Sequence, residues 1–182
     1  MITLGPQTAD VRVFAFKEGL LSTVAHDLQL KLNRFEISWN PATNAYWARL
    51  EASSIEVVCA MRNGVEDHGA LSAANRAEIL GNLRKDVLHF DKYNSVVFDS
   101  SSVSDSEITG RLTLHGVTRP IRLSLRDEAG QRIGEARLDQ RDFNIRPFSA
   151  LLGALKVQPE VLVRVTVPWP LSEDRPRSGE PG

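Results

Sequence analysis

His26, Leu28, Leu30 and Leu32 alternate with Asp27, Gln29, Lys31 and Asn33. Side chains two apart share a face only on an extended strand, so this spacing asks for a β-strand with one apolar and one wet face. The same period returns along the chain. Ile108, Leu112 and Leu114 alternate with Thr109, Arg111 and Thr113, and Ile121, Leu123 and Leu125 alternate with Arg122, Ser124 and Arg126. His115 and Gly116 lie between those two runs and predict a tight hairpin. Val157, Val161, Val163, Val165, Val167 and Trp169 carry the pattern near the end, and Val11 to Lys17 carries it near the start. Patterning of this kind predicts an all-β, mainly antiparallel fold of about eight strands.

Two departures from the period add detail. Phe35, Ile37 and Trp39 shift the apolar series to odd numbers, which predicts a bulge or bend at Asn33 and Arg34. Asn40, Pro41, Thr43 and Asn44 then form a turn, and the return through Tyr46, Ala48, Leu50 and Ala52 towards Val57 completes a long hairpin. Met61 to Gly69 is polar and contains two glycines. Ala70 to Leu88 is the one stretch with helical spacing: Ile79, Leu80, Leu83 and Val87 share a face, Asn75 with Glu78 has the form of a capping box, and Gly81 weakens the interior. The segment after residue 170 is charged or rich in proline, glycine and serine. It lacks the apolar area that offsets ordering, so the reading is one domain over 1–170 and a disordered tail over 171–182.

Composition excludes several functions. Lys and Arg number 22 against 23 Asp and Glu, a formal net charge of -1, so there is no field to draw the protein onto nucleic acid. The longest apolar run, Val57 to Met61, falls far short of the roughly 20 residues that span a bilayer, and no stable membrane insertion is expected. Met1 to Asp10 has neither the basic start nor the apolar stretch of a secretory leader, which places the chain in the cytoplasm, or in the periplasm if a leader was removed. Cys59 is the single cysteine, so no intramolecular disulfide forms and a small buried hydrophobe is its expected role. His68 and His89 stand apart from each other, and no histidine pair has helical metal-ligand spacing; no metal and no cofactor are expected.

Such strands either close into a barrel or stack as a sandwich, and period alone does not separate the two. Three segments bear on the choice: FKEGLLSTVAHDLQLKL from Phe16 to Leu32, KYNSVVFDS from Lys92 to Ser100, and GRLTLHGVTRPIRL from Gly110 to Leu123. They resemble the YceI-like family, the last almost residue for residue, and the resemblance runs over roughly residues 9–168. It implies an extended lipocalin-like barrel with one inserted helix, an isoprenoid lipid of the polyprenyl phosphate or isoprenoid quinone type as ligand, and a homodimer. The chain departs from the family between Val57 and Leu88, where the usual threonine-glycine turn and arginine-aspartate pair are absent.

The inward phase then gives the candidate site. Leu28, Leu30, Leu32, Phe35, Leu112, Leu114, Ile121, Leu123, Val161, Val163 and Val165 would line an interior with almost no hydrogen-bonding capacity. About a dozen methylenes buried there contribute roughly 10 kcal/mol before ordering and association costs. His26 falls on the same face and is the candidate partner of a headgroup; Asp27 points the other way, so the two do not form a catalytic dyad. Arg141 and Arg146 are candidate rim groups for a pyrophosphate. His115, on the polar phase at its turn, reads as structural or solvent-exposed. The leading reading is a non-enzymatic carrier or store. The alternatives are a hydrolase or isomerase with His26 as base, and an interaction domain whose core is filled.

Overall fold

The computed structural model describes residues 1–18, 26–150, 153 and 155–171. Its strands are β1 (Ile2–Leu4), β2 (Asp10–Glu18), β3 (Asp27–Leu32), β4 (Phe35–Asn40), β5 (Ala45–Glu51), β6 (Ile55–Arg62), β7 (Val65–Asp67), β8 (Ser95–Val103), β9 (Glu107–Leu114), β10 (Val117–Glu128), β11 (Gln131–Asp139), β12 (Ser149–Ala150) and β13 (Leu155–Pro168). All pair antiparallel in one curled sheet of order β1-β4-β5-β8-β9-β10-β11-β13-β2-β3-β6-β7, with β12 beside β13. Thirteen segments among the described residues reduce to the expected eight long strands in a simple way. β3 and β4 are one strand bent at Asn33 and Arg34, β5 and β6 are its bent partner, and β1, β7 and β12 are short edge pieces.

That bent hairpin closes the structure. Its β4–β5 half pairs with β8 at one end of the sheet, while its β3–β6 half pairs with β2 at the other. At the corner, Ser54 Oγ accepts from the Asn33 and Arg34 amides at 3.2 and 3.0 Å, and Ala52 to Ser54 form a 3-10 turn opposite the two bend residues. Where β6 parts from β8, the helix α1 (Ala73–Asn82) fills the space. Ile79, Leu80 and Leu83 pack there against Leu30, Ile55, Val57 and Ala60.

Three expectations need correction here. The capping box belongs to Ser72 and Asn75 rather than Asn75 and Glu78: Asn75 N–H donates to Ser72 Oγ at 3.1 Å, and Asn75 Oδ1 accepts from the Ser72 amide. The helix is also shorter than Ala70–Leu88; after Asn82 it widens to a π turn, in which the Leu88 amide donates to the Leu83 carbonyl at 2.8 Å. The polar run Met61 to Gly69, given no element above, is not featureless. It holds the β6–β7 hairpin, turned at Asn63 and Gly64, both at positive φ, and Asn-Gly is the strongest short signal for such a turn. Leu171, assigned above to the tail, packs half-buried against the cluster around Val11 and Phe35; residues 172–182 lie outside the described residues.

Candidate functional site

The interior is hollow. Buried apolar side chains fall into three separate clusters, around Val11 and Phe35, around Leu30 and Phe90, and around Leu112 and Phe143. A filled domain of this size gives one contiguous core. Between the clusters lies a cavity of about 650 Å³, inside the usual range of ligand pockets of roughly 300–1,000 Å³. The alternation on β10 shows how the wall is built: Ile121, Leu123 and Leu125 face the cavity and are half-buried, while Arg122, Ser124 and Arg126 are exposed. The filled-core alternative is therefore overturned.

His26, Leu28, Leu30, Leu32, Leu112, Leu114, Ile121, Leu123, Val161, Val163 and Val165 all line the cavity. Phe35, Arg141 and Arg146 do not. Phe35 is buried in the cluster with Leu4 and Val11, and the strand turns Ile37 to the cavity instead. Arg141 is exposed and held by its own neighbour, donating to Asp139, whose carboxyl is kept below its usual range chiefly by that hydrogen bond. Arg146 is exposed on the segment after β11. A pyrophosphate clamp from these two arginines is not formed.

Polar groups enter the lining at the two ends of the cavity and along α1. Glu18 pairs with Lys156 and Lys17 with Val157, and the Lys17 amide donates to Asp27 Oδ1 at 2.8 Å, so Lys17, His26 and Lys156 share one end. Asn75, Glu78 and Asn82 face the cavity from α1.

The opposite end holds Tyr46 and Arg132. The Arg132 guanidinium donates to both oxygens of Asp127 at 2.7 and 2.9 Å and stacks on the Trp169 ring, 3.5 Å from its centre. The hydrogen bond from Arg132 holds the Asp127 carboxyl low, while burial raises the Tyr46 phenol against the opposing influence of Arg132. Arg132 is thus fully engaged and works as a polar floor.

Sequence reasoning missed Arg132 and the helix residues. For Arg132 a signal existed: Ala136 and Leu138 set the inward phase of β11, and that phase carries Gly134 and Arg132 inward as well. For Asn75, Glu78 and Asn82 there was none, because a period of 3.6 says which side of a helix is apolar and not where the helix docks. His115 is structural and buried: one nitrogen lies 3.2 Å from the Phe143 carbonyl and the other 3.1 Å from His89 Nδ1.

An antiparallel sheet curled about a largely apolar cavity defines a β-barrel fold. The chain belongs to the YceI-like domain family, whose model matches residues 11–168. It is 36% identical over 99 residues to UPF0312 protein VVA0736 of Vibrio vulnificus (strain YJ016), covering 46% of this chain and 52% of that one. It is 39% identical over 87 residues to Protein YceI of Escherichia coli O17:K52:H18 (strain UMN026 / ExPEC), covering 40% and 46%. The matched stretch thus spans about half the length of these relatives. The fold is that of the crystal structure of Burkholderia cenocepacia BcnA, with a TM-score of 0.56 at 14% identity over 87% of this chain and 94% of that one. Among the described residues no helix is long and apolar enough to cross a membrane.

Proposed function

We propose that this protein binds an amphiphilic isoprenoid lipid, of the polyprenyl phosphate or isoprenoid quinone type, as a non-enzymatic carrier or store. The carrying observation is the cavity of about 650 Å³ walled mainly by Leu, Ile and Val, with few polar groups in its lining. Branched side chains offer a methyl-substituted tail dense dispersion contact and ask for no hydrogen bond in return. The end with Lys17, His26 and Lys156 is the seat of the headgroup in this reading, since it gathers two ammonium groups and an imidazole. A phosphate or a quinone carbonyl both accept from such groups.

Mass spectrometry of an organic extract of the purified protein tests this reading. An isoprenoid lipid in near-stoichiometric amount is expected from hosts that make one. Repeated recovery of empty protein that also fails to take up added polyprenyl phosphate or quinone overturns it. His26→Ala addresses the rival enzyme reading: a carrier retains its tail-dependent binding and converts no guest, whereas turnover by the native chain that disappears in the variant would favour the enzyme.

A further inference from the structure

We propose a zinc site on the outer face of the β6–β7 hairpin, formed by Cys59, Glu66 and His68. One potential ligand atom from each lies within 4.8 Å of the others, and none of the three residues lines the cavity. The register explains the meeting. Met61 pairs with Glu66 across the hairpin and Ala60 with Asp67, so the period of two sets Cys59 and Met61 on one face with Glu66 and His68. The absence of a metal was expected from histidine spacing alone. These donors come from two strands joined by the unrecognised Asn63-Gly64 turn.

The surroundings are arranged around these atoms. Gln29, opposite Cys59 on β3, is buried although its phase is the one read as wet. Arg12 donates to its Oε1 and fixes the amide, so that Nε2 donates to Glu66 Oε1 at 2.8 Å, to Cys59 Sγ at 3.4 Å and to Met61 Sδ at 3.7 Å. Glu66 Oε2 and His68 Nε2 are 2.9 Å apart. A buried amide N–H directed at a cysteine sulfur and a carboxylate is the kind of outer-shell contact that orients metal ligands. Arg76 holds the His68 carbonyl at 3.3 Å and so anchors the backbone beside the imidazole.

Zinc is bound at about 2.3 Å by sulfur and about 2.0–2.2 Å by nitrogen or oxygen, which sets tetrahedral ligand atoms roughly 3.5 Å apart. The atoms lie within 4.8 Å of one another, so binding draws them together by roughly 1 Å. Sulfur with imidazole and carboxylate suits zinc better than the hard, all-oxygen preference of magnesium or calcium. Cys59 is fully buried while His68 and Glu66 are exposed, so the ion arrives from solvent with its inner ligand already in place. On binding, the Zn–S bond replaces the S–H bond, the proton leaves to solvent, and water on the ion gives way to the imidazole and carboxylate.

The test is competition for Zn²⁺ between the tag-free, chelator-treated chain and a chromophoric chelator, with His68→Ala and Cys59→Ser alongside. One ion per native chain is expected, with about one proton released at neutral pH. Each variant should bind more weakly by at least the roughly 10–100-fold that follows loss of an outer-shell partner. The His68 side chain is exposed, so His68→Ala keeps its thermal midpoint in the absence of metal and remains informative if Cys59→Ser fails to fold. Native chain that binds no zinc, or zinc binding unchanged in His68→Ala, overturns the proposal; the second result would place the ion elsewhere, for instance at His89 and His115.

Discussion

His89 Nδ1 lies 3.1 Å from His115 Nε2, and His115 Nδ1 lies 3.2 Å from the Phe143 carbonyl. A carbonyl only accepts, so Nδ1 of His115 carries the proton and its Nε2 accepts from His89. The pair ties the end of the helical segment to the β9–β10 turn and to the 3-10 turn after β11. Burial, with the neighbouring His89 and Lys92 charges, lowers the His115 pKa against the opposing Phe143 bond. The folded chain therefore binds fewer protons than the unfolded chain as pH falls through about 6.5. This contribution to stability is complete above that pH and is lost below it. Thermal midpoints from pH 7.5 down to 5 should fall. In His115→Asn, which suits the positive φ of the turn, the midpoint should start lower and decline less over that window.

Gly110 faces Phe98 at a point where no side chain fits. A Cβ there would lie 2.4 Å from the Asp99 carbonyl oxygen and 2.5 Å from the Phe98 ring. Because one obstacle is backbone, rotamer change does not relieve it. Gly110→Ala should cost about 1–3 kcal/mol in denaturant unfolding, with overpacking as the cause. The β8–β9 ladder would be the first element to lose amide protection.

The cavity offers a substitution of the opposite kind. Val163 points into open space at the middle of β13. Val163→Trp should obstruct the tail's path and reduce lipid recovered by extraction by roughly 10-fold or more, about 1.4 kcal/mol in affinity. Stability should change by less than about 1.5 kcal/mol, because the added ring fills a void and tryptophan suits a strand. Unchanged lipid recovery would mean that the tail does not pass this level.

Arg132 combines a two-pronged bond to Asp127 with stacking on Trp169, and its side chain is only 11% exposed. Arg132→Met keeps an apolar stem at the floor but removes both interactions. A loss of about 1–3 kcal/mol is expected from the missing charged hydrogen bonds and ring contact. Trp169 fluorescence should shift as its cationic neighbour leaves.

Much of this molecule was legible in its alternation. Leu28 to Leu32, Leu112 and Leu114, Ile121 and Leu123, and Val161 to Val165 were placed inward by period alone, and the hairpin at His115 and Gly116 by its turn residues. Errors arose where strands bend or meet out of sequence. Phe35 shares the shifted phase of Ile37, which does reach the cavity, but beside the corner at Arg34 it packs against Leu4 and Val11, contacts that no local pattern reports. Gln29 was assigned to the wet face because nothing local reports that Glu66 and Met61 cover it. Periodicity states which face is apolar, and pairing decides what each face meets.

The docking of α1 bears on how a guest gets in. Elsewhere the wall is joined strand to strand by ladder bonds, but the panel between β6 and β8 is held by side chains of a helix that has no fully buried residue. Swinging that panel outward would sacrifice apolar contact and leave the rungs of the sheet intact, a cheaper opening than parting any two paired strands among the described residues. Its hinge would lie in the widened turn after Asn82, where an extra residue per coil already loosens the helix.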